Sequence, residues 1–329
     1  MEDTQESTQP YQDPRRTGST NSGLEDHDVS DIICILHPNS LPAHDAVAAT
    51  ARVGPQHILQ RGELECNTPD TAARDIALRL SASVRNLTMG FCFGRHAPRC
   101  DVLLSRSDLP QQISNIHFRI YLTRDGILML QDTSTNGTIV DSYVLQRDNN
   151  NRSRMLTNGS LIQVISSKPQ DEVRFIVRIP SREGSMVAYT ENLLAYFQRV
   201  EMHAAAGRNP KLPPPPPPSV PQILPWTTTN TYGMHWSGGS VYNVTGQVGK
   251  GAFATVYKLA TKQHGVVYAA KELDKRCFMR NGVLDQKVDN ELKIMRGLSH
   301  VKTPSFLFFS FWYGEVITGL LIYICLVRF

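Results

Sequence analysis

Short apolar runs separated by turn residues dominate the chain between about residues 28 and 180. Each run has the length of one β-strand, and clusters of Gly, Asn, Asp, Ser and Pro lie between the runs. Asn136-Gly137 and Asn158-Gly159 mark tight turns. Many short strands joined by regular turns predict an all-β sandwich. The strand-length runs are 32–36, 89–93, 102–104, 118–122, 127–130, 161–165 and 173–179.

Two other segments show helical features. Pro69 and Asp70 are typical of a helix start, so a helix over about residues 70–80 is one interpretation of an otherwise ambiguous stretch. The segment 181–207 is predicted to hold a helix, because apolar side chains recur at helical spacing within residues 191–206.

A proline-rich linker at residues 208–241 divides the chain. Nine of the 20 prolines lie between Pro210 and Pro225, and such a stretch favours an extended, semi-rigid spacer. Behind it, residues 242–300 predict strands around a glycine-rich turn, followed by an amphipathic helix at 283–295. A partial α+β domain is therefore expected after the sandwich.

Composition narrows the function classes. The 329 residues are 41% apolar and 19% charged, which excludes a wholly disordered chain, a collagen and a multi-span membrane protein. A formal charge of +4 gives no support for direct nucleic-acid binding. The six cysteines form no CxxC pair, so we expect free thiols and no metal site. Residues 1–27 are polar enough to predict disorder, and they lack the pattern of a secretory signal.

Three short segments of the predicted sandwich carry residues suited to a phosphorylated side chain. They are Gly94-Arg95, residues 113–118 (ISNIHF) and residues 134–138 (STNGT). A guanidinium makes charge-assisted hydrogen bonds to phosphate, and short hydroxyl and amide groups can fix the remaining oxygens. Loops at one end of a rigid sandwich can bring such groups together.

These segments resemble the forkhead-associated (FHA) domain, a module that binds phosphothreonine-containing proteins. The resemblance spans about residues 76–180, inside a predicted domain at 28–180 with its core motifs at 89–145. One position departs from the pattern, because Gln112 stands where some family members have a second basic residue, which predicts a less electropositive site. The resemblance implies phosphopeptide-binding roles for Arg95, Ser114, Asn115, Thr135 and Asn136, and structural roles for Gly94, His117 and Gly137.

The second domain carries a different set of residues. Gly249 and Gly251 lie in a glycine-rich turn, and glycines let backbone amides approach the phosphates of a nucleotide. Lys271 ends an apolar strand 15 residues after Val256, and Glu291 follows 20 residues later. Glu291 shares a predicted helix face with a row of apolar residues, where a carboxylate needs a partner such as Lys271.

This second pattern resembles the N-terminal lobe of a protein kinase. The resemblance implies ATP and Mg²⁺ as cofactors and an ATP site formed by Gly249, Gly251, Val256, Lys271 and Glu291. An FHA domain ahead of a kinase domain is similar to the checkpoint effector serine/threonine kinases of the DNA-damage and replication-stress response, in a fungal-like arrangement. That likeness implies a location in the nucleus or cytoplasm, and an upstream checkpoint kinase that phosphorylates Thr4 and Thr8, each followed by glutamine.

The residues after the glycine-rich turn include no His-Arg-Asp and no Asp-Phe-Gly sequence. Without them the chain has no catalytic residue to accept the substrate proton and no protein ligands for Mg²⁺. We therefore expect a kinase truncated within its N-terminal lobe, without detectable phosphotransfer of its own and with weak or no ATP binding.

An apolar tail at residues 301–329 replaces those motifs. Residues 306–327 are long enough to span a bilayer, although Glu315 near the middle is costly in lipid. A read-through or truncation artefact is the favoured interpretation, and a membrane anchor is the alternative. Two further functions stay open beside the truncated kinase: a non-catalytic phosphothreonine-binding adaptor, and the same adaptor tethered to a membrane.

Overall fold

The computed structural model describes residues 21, 23–60, 74–105, 113–146, 151–206, 232–236, 238–252, 254–274, 279–280, 283–287, 290, 307–310 and 320–326. Its α-helices are α1 (Asp26–Asp31), α2 (Leu41–Val53) and α3 (Met186–Ala206), and short 3-10 helices lie at Pro55–His57 and Pro169–Asp171.

Two facing sheets between residues 32 and 178 form a β-sandwich. Their strands are β1 (Ile32–Pro38), β2 (Ile58–Gln60), β3 (Arg74–Arg79), β4 (Phe91–Gly94), β5 (Val102–Leu103), β6 (Phe118–Leu122), β7 (Leu128–Asp132), β8 (Thr138–Val140), β9 (Tyr143–Leu145), β10 (Ser153–Met155), β11 (Leu161–Val164) and β12 (Arg174–Arg178). One sheet has the order β2-β3-β1-β12-β11-β8-β9, and the other has the order β10-β7-β6-β4-β5. All described pairs are antiparallel except β4 with β5.

One apolar core fills the space between the two sheets. Side chains alternate along a strand, and the inward positions of β6 and β7 include Phe118, Ile120 and Leu130, all completely buried. Phe93 of β4 stacks on Phe118 with ring centroids 4.6 Å apart. Helices α2 and α3 contribute further side chains to the same core. The loops that leave β4, β6 and β7 therefore start from a rigid base.

The structure agrees with several predicted strands and overturns the helix considered for residues 70–80. The predicted run 118–122 coincides with β6. Residues 74–79 form strand β3 rather than a helix, paired with β1 on one side and β2 on the other. Ile76 lies in the main core, whereas Ala77 lies in a second cluster on the opposite face. A strand buried on both faces has no polar alternation, so its pattern does not distinguish it from a buried helix.

Ordered structure begins before the predicted limit of the disordered segment. Helix α1 starts at Asp26, and the side chain of Asn21 accepts a hydrogen bond from Ser181 N (2.7 Å) and donates one to Ser181 O (2.9 Å). The described part of the chain therefore includes residues 21 and 23–27 of the segment that the sequence predicts to be disordered. The remaining residues of that segment, 1–20 and 22, lie outside the described part of the chain.

A third sheet follows the linker region and contains two strands of the apolar tail. Its strands are β13 (Tyr242–Lys250), β14 (Ala254–Thr261), β15 (Val267–Asp274), β18 (Leu307–Ser310) and β19 (Leu320–Leu326), in the order β13-β14-β15-β19-β18. Strand β19 pairs antiparallel with β15, with Lys271 opposite Tyr323. The sequence predicts only three strands in this domain. In the structure, two strands of the tail extend the sheet, because β19 pairs with β15 and β18 pairs with β19. No helix among the described residues is long and apolar enough to cross a membrane.

The helix predicted at residues 283–295 does not begin where the sequence pattern places it. Val283–Leu284 is strand β17, which pairs with β16 (Met279–Arg280) in a separate two-stranded sheet. Helical backbone appears at residues 286–287 and 290, and residues 288–289 and 291–300 lie outside the described part of the chain.

A buried arginine joins the chain after β12 to the sandwich. The side chain of Arg182 is 2% exposed and donates hydrogen bonds to the carbonyl oxygens of Ile32 (2.6 Å), Ile33 (3.1 Å) and Pro180 (3.0 Å). Its guanidinium also lies 4.1 Å from the ring centroid of Tyr189 in α3. One side chain therefore holds together β1, the segment that follows β12, and helix α3.

Replacement of this arginine tests that role. Arg182→Ala leaves three buried carbonyls without their donor, and each such group costs about 1–3 kcal/mol. We expect the free energy of unfolding, measured by urea titration with far-UV circular dichroism, to fall by at least about 3 kcal/mol. The control Arg52→Ala, at an exposed arginine near the end of α2, should lose less than about 1 kcal/mol. Equal losses in the two variants would contradict the anchoring role.

Candidate functional site

Three loops meet at one end of the sandwich. The first leaves β4 after Gly94, the second contains the residues before β6, and the third joins β7 to β8. Together they line an open pocket with a volume of about 470 Å³. The lining residues are Met89, Arg95, Arg99, Ile113, Ser114, Asn115, Ile116, Thr133 and Thr135.

A close backbone contact joins the first loop to the second. A Cβ atom added at Gly94 would lie 2.2 Å from the carbonyl oxygen of Asn115, so no larger residue fits there. Arg95 N donates to Ser114 O (3.2 Å), and His96 N donates to Asn115 O (3.3 Å). The backbone of Arg95 is thereby held beside Ser114 and Asn115, and its side chain is exposed on the pocket side.

The side chain of His117 joins the second loop to the third from below. The ring is completely buried. Its Nδ1 accepts a hydrogen bond from Ser114 N (3.2 Å), which leaves Nε2 as the protonated nitrogen that donates to Gly137 O (3.2 Å). Burial lowers the pKa of His117, while the hydrogen bond to Gly137 and the charge of Asp132 oppose that shift. The neutral ring is therefore the form that fits both partners.

The hydroxyl of Ser114 makes a second connection between the same loops. Its Oγ accepts a hydrogen bond from Thr135 N at 3.2 Å. A hydroxyl that accepts one hydrogen bond still carries its own proton, and Ser114 lines the pocket. Its O–H group is therefore available to donate to a ligand oxygen from a position fixed by the backbone of Thr135.

The third loop is shaped by a small network of buried polar groups. Asp132 Oδ1 accepts hydrogen bonds from Ser134 Oγ (2.8 Å) and Thr138 Oγ1 (2.7 Å), and Ser134 Oγ accepts one from Gly137 N (2.7 Å). Gly137 has φ +96°, a conformation that side-chain-bearing residues rarely adopt. The turn therefore has one geometry, with exposed Thr135 and Asn136 at its tip.

The structure brings most of the predicted phosphopeptide-binding residues together. Arg95, Ser114, Asn115 and Thr135 all line the pocket. Asn136 is not among the lining residues, although it follows Thr135 at the tip of the third loop. Gln112, the position predicted to weaken the positive charge, lies outside the described residues.

The sequence pattern does not identify a second pocket arginine, Arg99. It lies on the loop after β4, where Arg99 N donates to His96 O (2.9 Å) and turns the chain back toward the pocket. The sequence alone does not identify an arginine in a polar loop as a pocket residue. Its place in the pocket beside Arg95 depends on that turn. With Arg95 and Arg99, and with no acidic residue among its described lining residues, the pocket favours an anionic ligand.

The third sheet aligns three of the residues predicted to bind ATP. Gly249 of β13 lies opposite Val256 of β14, and Val256 lies opposite Lys271 of β15. Residues directly opposite in an antiparallel pair share one face of the sheet. Gly251 N donates to Ala254 O (2.8 Å) and closes the glycine-rich turn. Glu291 lies outside the described residues, as do the predicted phosphorylation sites Thr4 and Thr8.

The neutral ring of His117 predicts an acid-sensitive fold. In the unfolded chain a histidine gains its proton near pH 6.5, whereas the folded His117 has a lowered pKa because burial disfavours its charged form. The folded state therefore becomes less stable relative to the unfolded chain as the pH falls below about 6.5. His57 contributes with the same sign, because burial lowers its pKa to about 4.

We expect the free energy of unfolding to decrease between pH 7 and pH 5, by up to about 1.4 kcal/mol per pH unit for each such histidine. His117→Ala should make this dependence shallower by up to that amount, leaving the share of His57. The control His96→Ala, at an exposed position, should keep the slope of the unmodified chain. An unchanged slope in His117→Ala would show that its protonation is not coupled to folding.

Comparisons with known proteins agree with this geometry. The FHA domain family matches residues 91–165. Serine/threonine-protein kinase RAD53 of Saccharomyces cerevisiae is 27% identical over 239 residues, which cover 71% of this chain and 26% of that protein. Serine/threonine-protein kinase cds1 of Schizosaccharomyces pombe is 32% identical over 99 residues, which cover 28% of this chain and 20% of that protein. The matched parts are thus about a quarter or less of these curated relatives.

A solved structure, that of Rad53 residues 1–466 in complex with AMP-PNP, matches with a TM-score of 0.32 and 21% identity. The match covers 71% of this chain and 45% of that chain. The residues that match the FHA family include Arg95, Ser114 and Thr135 of the pocket. Residues 91–165 therefore match the FHA domain family, in a chain that is similar over 71% of its length to a serine/threonine-protein kinase.

Proposed function

We propose that the chain docks on phosphothreonine-containing proteins through the pocket lined by Arg95, Ser114 and Thr135. The observation that carries this proposal is the convergence of two guanidinium groups, three hydroxyl side chains and one amide side chain around an open pocket whose described lining includes no acidic residue. A phosphate carries close to two negative charges at neutral pH and three acceptor oxygens. The pocket supplies only donors and neutral groups to meet them.

Each lining group has a distinct role in this proposal. Arg95 makes charge-assisted hydrogen bonds to the phosphate, because its backbone is fixed against the second loop and its guanidinium is free of any buried structural task. Ser114 donates its hydroxyl proton to a second phosphate oxygen, and Asn115 assists. Thr135 and Asn136, at the tip of the third loop, hold the peptide backbone beside the phosphate.

We propose further that residues 242–274 are the start of a protein-kinase lobe, which would bind ATP in its complete form. The support is the row formed by Gly249, Val256 and Lys271 across three neighbouring strands, which suits a nucleotide lying against the sheet with its phosphates near the lysine. Bound there, ATP would supply the phosphoryl group, and Mg²⁺ would offset the charge of its phosphates.

In the cell, this proposal places the protein in the checkpoint response, in the nucleus or cytoplasm. An upstream checkpoint kinase modifies Thr4 or Thr8, and the FHA pocket binds a phosphorylated partner or the modified segment of another copy. The similarity to RAD53 and cds1, both named as serine/threonine-protein kinases, supports transfer of phosphate from ATP to serine and threonine as the activity of the whole protein.

Phosphopeptide binding tests the first proposal. The probes are a degenerate phosphothreonine peptide library and synthetic residues 1–14 carrying phosphate on Thr4 or Thr8, measured by fluorescence anisotropy. We expect Arg95→Ala to weaken binding by at least about tenfold, since a charge-assisted hydrogen bond contributes about 1.5–3 kcal/mol. The matched control is Arg124→Ala, at an arginine whose side chain is 74% exposed in the turn at the opposite end of β6. It should bind as the unmodified chain does.

Two results would refute the docking proposal. One is equal binding of the phosphorylated and unphosphorylated probes, because the pocket is proposed to recognise the phosphate. The other is equal weakening by Arg95→Ala and Arg124→Ala, because a general loss of positive charge would then account for the effect without a specific site.

A separate experiment tests the activity of these 329 residues. Because no His-Arg-Asp or Asp-Phe-Gly sequence follows the glycine-rich turn, we expect no transfer of radiolabelled phosphate from ATP to a mixed serine and threonine substrate. An active full-length kinase in the same buffer controls for the assay. Turnover by the chain that disappears in Lys271→Ala would contradict this expectation and would assign catalysis to the residues present.

A further inference from the structure

An apolar cluster lies on the outer face of the sandwich sheet with the order β10-β7-β6-β4-β5, on the side away from the core. Along β7, Leu128 and Leu130 point into the core, so Met129 points outward. An outward side chain on a solvent-facing sheet is expected to be exposed, yet Met129 is completely buried, and Met155 of β10 is 4% exposed. Something outside the sandwich covers this face.

The covering element is the hairpin formed by β14 and β15. Ala260 and Val267, which flank its turn, are buried against Ile127, Met129 and Met155. We call these five residues the outer-face cluster. The amide of Met155, on edge strand β10, donates to Lys262 O at 2.7 Å. The contact therefore combines apolar burial with a backbone hydrogen bond.

The turn of the hairpin is shaped for close approach. Gly265 has φ +65°, and a Cβ atom added there would lie 2.8 Å from Met129 Sδ and 3.2 Å from Ile127 Cγ2. The hairpin and the sandwich also carry opposite charges near this contact, at Lys258 and Asp125. Burial lowers the pKa of Lys258 in β14, and the negative charge of Asp125, in the turn before β7, opposes that shift.

We infer that the outer face of the sandwich sheet β10-β7-β6-β4-β5 is an intramolecular docking surface for the β14–β15 turn. Without a partner, the outward side chains of the sandwich would form an apolar patch open to water, which is unfavourable. The hairpin belongs to the same chain, so its effective concentration near this face is high and a small contact is enough to hold it.

The docked hairpin also carries residues of the proposed nucleotide site. Val256 lies four residues before Ala260 on β14, about 13 Å away along the strand. The surface thus fixes the position of the third sheet relative to the sandwich, although residues 207–231 separate α3 from the first described residues of that region. The phosphopeptide pocket lies on the loops at the end of the sandwich, so a peptide can bind there while the hairpin is docked.

Hydrogen–deuterium exchange of the full chain, read by mass spectrometry, tests this inference. In the unmodified chain, peptides covering 153–156 and 260–267 should exchange slowly. Met129→Glu places a carboxylate under the hairpin and should speed exchange in both peptides by at least about tenfold, a change that corresponds to about 1.4 kcal/mol of lost docking. Peptides from the core strand β6 should not change.

The matched control is Val144→Glu, an apolar-to-acidic change at a sandwich residue that is 42% exposed; it should exchange as the unmodified chain does. Unchanged exchange of residues 260–267 in Met129→Glu would overturn the inference. If Met129→Glu loses protection in β6 as well, Val267→Glu decides, because it lies outside the sandwich. Faster exchange of residues 153–156 in that variant supports docking, and unchanged exchange overturns it.

Two further readouts distinguish intramolecular docking from self-association and from phosphopeptide binding. Protection of residues 260–267 that disappears on roughly hundredfold dilution would assign the contact to two copies of the chain and overturn its intramolecular nature. Phosphopeptide binding should be the same in Met129→Glu as in the unmodified chain. Failure of the docking surface and failure of the proposed phosphopeptide function therefore give different results.

Discussion

The two hydrogen bonds of His117 are the interaction on which the phosphopeptide pocket depends. The ring lies beneath the pocket and joins Ser114 N to Gly137 O, which belong to different loops. Because one ring nitrogen must accept and the other must donate, only a neutral ring in one tautomer satisfies both. Burial favours that neutral form. The geometry of the pocket thus follows from the protonation state of a residue that does not line it.

Several backbone amides around the pocket, those of Arg95, Ser114, Thr135 and Gly137, donate to groups within the three loops. In the proposed phosphopeptide site, the positive charge is supplied by the guanidinium groups of Arg95 and Arg99.

The motifs of the candidate site are local in sequence, whereas much of the surrounding structure depends on distant contacts. Gly94-Arg95, ISNIHF and STNGT carry their chemistry in local order, and the structure brings Arg95, Ser114 and Thr135 to one pocket. The sequence motifs do not identify Arg99, because its place in the pocket depends on a turn. Among the strands, β6 was predicted at its observed limits because its two ends are marked by polar residues. Strand β3 was ambiguous because it is buried on both faces and therefore lacks alternation.

The same alternation rule shows why the outer-face cluster could not be predicted. In the sequence, Ile127 to Leu130 is an uninterrupted apolar run, and such a run predicts a buried strand without saying what buries each face. The core accounts for Leu128 and Leu130, but it cannot account for Ile127 and Met129, which point away from it. A second covering element is required, and in this chain it comes from more than 120 residues further along the sequence, at Ala260 and Val267. An apolar residue at an outward strand position therefore indicates a contact with a distant part of the chain. This inference can be made only once the inward face of the strand is known.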